Sequence, residues 1–183
     1  NAIRLAPGVP SYYNNRAQVF LTYQLRPERF TEPGCDKQNE LPYLVCLGIE
    51  SLNSNLESVS QQPFNYRARL AAGNSAFNLQ LHDSSIDSYT KASSMVPNSY
   101  KIRNALAESQ INAGNFVEAL AELNQSLRIT GDSILSADAS FLQSRALQGL
   151  GRPEEAIRTL ESVLLGGANA MLTRRTLELI HEI

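Results

Sequence analysis

The stretch GNFVEALAELNQSL, Gly114 to Leu127, returns as GRPEEAIRTLESVL, Gly151 to Leu164. Gly114 meets Gly151, Glu118 meets Glu155, Ala119 meets Ala156, and the apolar residues keep their places over a step of 37 residues. A step of 34 residues back from Leu120, Leu123 and Gly131 reaches Ile86, Tyr89 and Pro97, and takes Leu106 and Ala107 to Ala72 and Gly73. One unit is therefore written three times. The longer step to the third copy places three extra residues around TGDSILSAD, Thr130 to Asp138.

Each unit reads as two helices. The first ends at a turn, Asn112-Ala113-Gly114-Asn115 in one copy and Gly149-Leu150-Gly151-Arg152 in another. Glycine or asparagine after the last periodic residue stops a helix. The second helix follows at once. Pro153 fits its first position, and Glu154 and Glu155 fit its first turn, at the positive end of the helix dipole. Leu120, Leu123 and Leu127 form a stripe facing the partner helix. Ala119 and Ala156 are small where two helices must cross closely, so Ala119→Leu should overpack while Glu122→Gln, read as exposed, should be nearly neutral. One such pair cannot bury its apolar face. Stacked pairs can, which is the physical reason to repeat.

The period and the order of small, aromatic and closing positions resemble the tetratricopeptide repeat. Gly73, Ile86, Tyr89, Ala92 and Pro97 stand at that family's positions in one copy. Ala107, Gly114, Ala119, Leu123 and Gly131 do so in the next, and Ala156, Leu160 and Val163 in the third. The family's usual first-helix Trp is absent, since the chain has none. The resemblance implies an all-α fold, a right-handed superhelix of helix pairs (an α-solenoid) with a terminal capping helix.

The whole chain, residues 1–183, reads as a single domain of this kind. Residues 1–7, closing on Pro7, look like the tail of a preceding repeat. Residues 11–60 look like a repeat interrupted by an inserted loop, 25–41, rich in Pro, Gly and polar residues. Its second helix carries the stripe Leu41, Val45, Ile49, Leu52, Leu56 and Val59. Repeats follow at 64–97, 100–131 and 134–166. A capping helix at 168–183 shows Arg174, Arg175, Glu178 and Glu182 to water. Tyr12, Tyr13 and Arg16 read either as packing residues of the first helix or as a recognition patch.

A net charge of −2 over 183 residues leaves no basic footprint for nucleic acid. No apolar run is long enough to be a transmembrane helix. The opening NAIRLAPGVP does not read as a signal peptide, and Asn1-Ala2 reads equally as a cloning scar. No catalytic motif stands out, and no enzyme activity, cofactor or metal is expected. His82 and His181 are far apart and read as solvated surface histidines. No His/Cys cluster has zinc spacing. Asn124-Gln125-Ser126 matches a glycosylation sequon in the middle of a helix, where modification is not expected.

The resemblance also implies where a partner binds, because positions 2, 5, 9 and 13 of each first helix line the family's concave groove. Carried over, they pick out Arg67, Asn74 and Asn78, then Lys101, Asn104, Glu108 and Asn112, then Arg145. Asparagine amides donate and accept together, which suits a peptide backbone or a glycan. The same residues equally describe a wet helix face. Leu70, Ala71 and Ala105 stand where the family's chaperone-tail clamp needs polar groups, so an acidic chaperone tail is not the expected ligand.

The leading function is a non-catalytic scaffold that binds a protein or peptide, with a glycan as the other ligand class. The alternative comes from the way the first repeat is built. Residues 11–60 are similar to the extracytoplasmic repeat region of bacterial O-antigen ligase or polymerase proteins, which would make the chain part of a membrane glycosyltransferase. The two cysteines, Cys35 and Cys46, allow one internal disulfide, worth roughly 3 kcal/mol in the chain-entropy model, and it would slightly favour an extracytoplasmic location. Two reduced thiols, with Cys46 buried on its helix, are the other reading.

Overall fold

The computed structural model describes residues 43–131, 134–166 and 170–183, and every regular element among them is helical. The preceding-repeat tail, the first helix from residue 11, the inserted loop 25–41 and Cys35 lie outside the described residues, as does the side chain of Cys46. Among the described residues eight α-helices run in order: α1 Tyr43–Gln61, α2 Tyr66–Asn78, α3 His82–Met95, α4 Tyr100–Asn112, α5 Phe116–Thr130, α6 Ala137–Gly149, α7 Pro153–Leu165 and α8 Ala170–Glu182. They fall into two compact units divided between Met95 and Val96.

The helix starts carry the repeat. Tyr66 to Tyr100 and His82 to Phe116 are steps of 34, and Tyr100 to Ala137 and Phe116 to Pro153 are steps of 37. The extra residues thus enter after α5 begins and before α6 does, in a stretch that carries the short 3-10 turn Ile134–Ser136.

The turns inside the pairs share one backbone. Gln80, Gly114 and Gly151 take positive φ, at 58°, 82° and 70°. The next amide then reaches back into the finished helix: Leu81 N donates to Ala76 O at 2.9 Å, Asn115 N to Gln110 O at 2.8 Å and Arg152 N to Leu147 O at 3.0 Å. These bonds satisfy carbonyls the helix end leaves orphaned. Gln80 adopts a conformation in which a side chain costs about 1 kcal/mol relative to glycine.

In the first unit α2 packs against both α1 and α3. Asn65 caps α2, its Oδ1 accepting from the amides of Arg67 at 3.0 Å and Ala68 at 3.4 Å. Gly73 lets α3 approach, for a Cβ there would stand 2.6 Å from the Tyr89 ring. The α1 face differs from the expected stripe. Leu56 is 46% exposed, whereas Ser51, Ser54, Asn55, Ser58 and Val59 are buried. The Ser51 and Ser75 hydroxyls are 3.0 Å apart, and Asn55 Nδ2 donates to Ser75 Oγ at 2.9 Å. α2 offers alanines and Ser75 here, so small polar residues that hydrogen-bond across a close contact share the interface with Val59, and Leu56 is left outside it. His82 also departs from expectation. It starts α3 half-buried, with Nδ1 enclosed and without a partner among the described residues, while His181 is exposed.

In the second unit α4 pairs with α5 and α6 with α7, α6 packs on α4 and α5, and α8 packs on α7. Ala107, Ile111, Ala119, Leu123, Ala139, Leu142 and Ala146 form one core cluster. Phe141, Leu160, Val163, Leu172 and Leu179 form the next. The small-against-large logic repeats, with Ala107 and Leu123 standing in one cluster where the first pair has Gly73 and Tyr89. At the start of α7, Arg152 Nε and Nη2 both donate to the Glu155 carboxylate at 2.6 Å, holding it below the usual carboxyl range.

Ala119 is fully buried. Ala119→Leu should cost about 1–3 kcal/mol by overpacking, and the exposed change Gln125→Ala on the same helix should stay within about 0.5 kcal/mol. Urea melts of the two variants compare them, and equal midpoints would refute the close crossing. Glu122 is unsuitable as the neutral control expected from the sequence. Its carboxylate pairs with Arg103 Nη1 at 2.5 Å, and its side chain is only 22% exposed.

Candidate functional site

Arg67, Asn74 and Asn78 lie on α2 and are exposed. The Arg67 guanidinium sits 5.8 Å from the Tyr66 ring centroid and its Nε donates to the Tyr66 hydroxyl at 3.2 Å, which raises its already high pKa. Asn74 carries a structural duty as well, since its Oδ1 accepts from the buried Tyr89 hydroxyl at 2.7 Å.

The second unit brings its predicted residues together. Lys101, Asn104 and Glu108 recur along one face of α4 and line a cavity of about 570 Å³. Tyr100 and Ala105 join them from the same helix, and Leu135 from the turn before α6. From α6 come Ala137, Asp138, Phe141 and Leu142, and from α8 Leu172 and Arg175. Glu108 Oε1 lies 3.5 Å from Arg145 Nη1, and Arg145 Nη2 donates to Asn112 Oδ1 at 3.2 Å. Arg145 and Asn112 are not on the cavity wall; Arg145 pairs with the Glu108 carboxylate and Asn112 with Arg145.

Asn104 is oriented from below. Ser126 Oγ donates to its Oδ1 at 2.6 Å, so the amide NH₂ is left for the cavity. Ser126 is fully buried by this arrangement. The sequon serine is thus committed to the fold, and Asn124 Oδ1 is engaged as well, accepting from Gln143 Nε2 at 3.1 Å.

Nine of the twelve wall residues were not picked out from the sequence as binding residues, and the polar or aromatic ones among them are Tyr100, Asp138, Phe141 and Arg175. Asp138 and Phe141 are positions 2 and 5 of α6, so the spacing rule that selects Lys101 and Asn104 would have found them. Arg175 had no such signal. It was expected on the outer face of a capping helix, yet its guanidinium lies 4.6 Å from the Phe141 ring centroid. The outer face of α8 is mixed rather than polar, with Met171 74% and Leu177 54% exposed beside the Arg174–Glu178 pair.

Among the described residues the cavity wall carries no histidine, cysteine or serine. It offers amide and cationic donors above an apolar floor, the composition of a recognition site. No protein-family model matches the chain, and no curated protein matches it in sequence. Solved structures do. YrrB, a TPR protein with an unusual peptide-binding site, superposes with a TM-score of 0.74 at 14% identity, over 97% of this chain and 78% of its own. Two structures of MamA each give a TM-score of 0.69 at 13% identity over 90% of this chain, covering 76% and 82% of theirs. At such identities the likeness is one of fold, and the chain has the all-α, helix-pair fold of tetratricopeptide-repeat proteins.

Proposed function

We propose that the chain is a non-catalytic scaffold and that the cavity bounded by α4, α6 and α8 holds an extended peptide segment of a partner protein. The observation that carries this reading is the wall itself. The Asn104 amide is pre-set to donate, Lys101 and Arg175 supply cationic donors, and Tyr100, Phe141, Leu142 and Leu172 supply apolar contact. An extended peptide presents backbone carbonyls and alternating side chains, which match such a mixture. The peptide-binding site of YrrB, on the same fold, supports it. Arg67, Asn74 and Asn78 form the corresponding surface of the first unit. The alternative, a soluble region of a membrane glycosyltransferase recruiting its substrate, draws no support from these likenesses.

The test begins with peptides selected from a random display library on the intact chain. Binding of a selected peptide, followed by fluorescence anisotropy, should weaken about three- to tenfold in Lys101→Ala and again in Asn104→Ala, as expected for single hydrogen bonds and cationic contacts. Undiminished binding in both variants, still folded by circular dichroism, would move the site off α4. Selective retention of oligosaccharides over peptides would favour the glycan reading instead. Asn74→Ala and Asn78→Ala report whether the first unit takes part.

A further inference from the structure

The cavity also has a charge pattern that chooses among peptides. Arg174 and Arg175 are neighbours on α8 with different fates. Arg174 Nε is spent on Glu178 at 2.8 Å. Arg175 makes no hydrogen bond or ion pair among the described residues, and its guanidinium rests over the Phe141 ring. That ring is itself buried in the cluster with Leu160 and Leu172, so the platform is fixed. A guanidinium near an aromatic face can keep its N–H donors free for an oxygen pair, and its planar fork matches a carboxylate. On α4 the Lys101 ammonium, 6.0 Å from the Tyr100 ring centroid, likewise has no carboxylate partner among the described residues. On the acidic side, Glu108 is already held by Arg145. Asp138 is left as the one unpaired carboxylate of the wall among the described residues. The unpaired charges are therefore two cations against one anion, over a floor that includes Leu142 and Leu172.

The geometry points to Arg175, on its Phe141 platform, as the specificity-determining residue of the cavity. It receives the carboxylate of an Asp or Glu side chain in an extended peptide, and an adjacent apolar side chain of that peptide sits on Leu142 and Leu172. A single carboxylate fits better than a dianion, because Asp138 shares the wall. This inference rests on the peptide reading of the same cavity, and the experiment separates the two.

The probes are two pools of short fluorescent peptides, blocked at both ends and randomised around a central Leu-Glu or a central Leu-Gln. At low salt the intact chain should bind the Leu-Glu pool about three- to tenfold more tightly, with the difference shrinking as salt screens it. Arg175→Gln should abolish that difference, Arg174→Gln should leave it, and Asp138→Asn should widen it. Equal binding of the two pools by the unaltered chain overturns the inference while leaving the peptide site standing. So does a preference that persists in folded Arg175→Gln. If neither pool binds, the peptide reading falls and this inference with it.

Discussion

Replacing Leu160 by alanine should destabilise the unit from Val96 to Ile183 by about 2–5 kcal/mol, the range for emptying a large aliphatic site in a packed core. Leu160 lies on α7, is fully buried, and clusters with Phe141 of α6 and Leu172 and Leu179 of α8. With Val163 it is what α7 contributes to the cluster shared with α6 and α8. The void left by truncation cannot be filled from one side without moving the others. Phe141 and Leu172 are also wall residues of the cavity, so the same change should weaken peptide binding through the floor, although Leu160 does not line it. The comparison variant is Leu177→Ala, at a residue 54% exposed on α8, where about 0.5 kcal/mol or less is expected. Urea unfolding measures both. Coincident midpoints would mean that the cluster around Leu160 does not carry the unit.

The second large effect is electrostatic. Arg103 on α4 and Glu122 on α5 face each other with side-chain exposures of 12% and 22%. Arg103 Nε also donates to Pro97 O at 3.0 Å, which pins the guanidinium across the connection before α4. Glu122→Ala should cost about 1.5–3 kcal/mol, because a largely buried guanidinium then loses its carboxylate while remaining desolvated. Most of that is the penalty of the orphaned charge. The double variant Arg103→Ala/Glu122→Ala should therefore be less destabilised than the sum of the single variants. Salt should shift the effect only weakly, since the pair is shielded from solvent. Strictly additive losses, or losses vanishing at high salt, would place the pair in water.

Much of the fold is a local matter and was legible for that reason. A step of 34 or 37 residues, a stop at Gly114 or Gly151 and a start at Pro153 are set by neighbours a few positions apart in the chain. The small residues Ala119 and Ala156 stand where helices cross closely, and both are fully buried. The positive-φ turn at Gln80 was not legible, because a glutamine there follows from the register of the helices around it and not from its own preference.

Which side of a helix meets which neighbour is a different kind of question, and there the tertiary structure decided. On α1 a leucine stripe and a serine-asparagine stripe are both periodic; only the alanine and serine face of α2 selects the second and leaves Leu56 outside. Glu122 has the spacing of an exposed residue until Arg103, nineteen positions earlier, is folded against it. The candidate site divides in the same way. Lys101, Asn104 and Glu108 follow from the period of α4. Arg175 enters only because α8 lays it over Phe141, and Asn104 is oriented only because Ser126 arrives beneath it from α5. Periodicity is a property of one helix, so sequence alone could specify the helices and their pairing; the identity of a facing side chain is a property of two, and it exists only once they are packed.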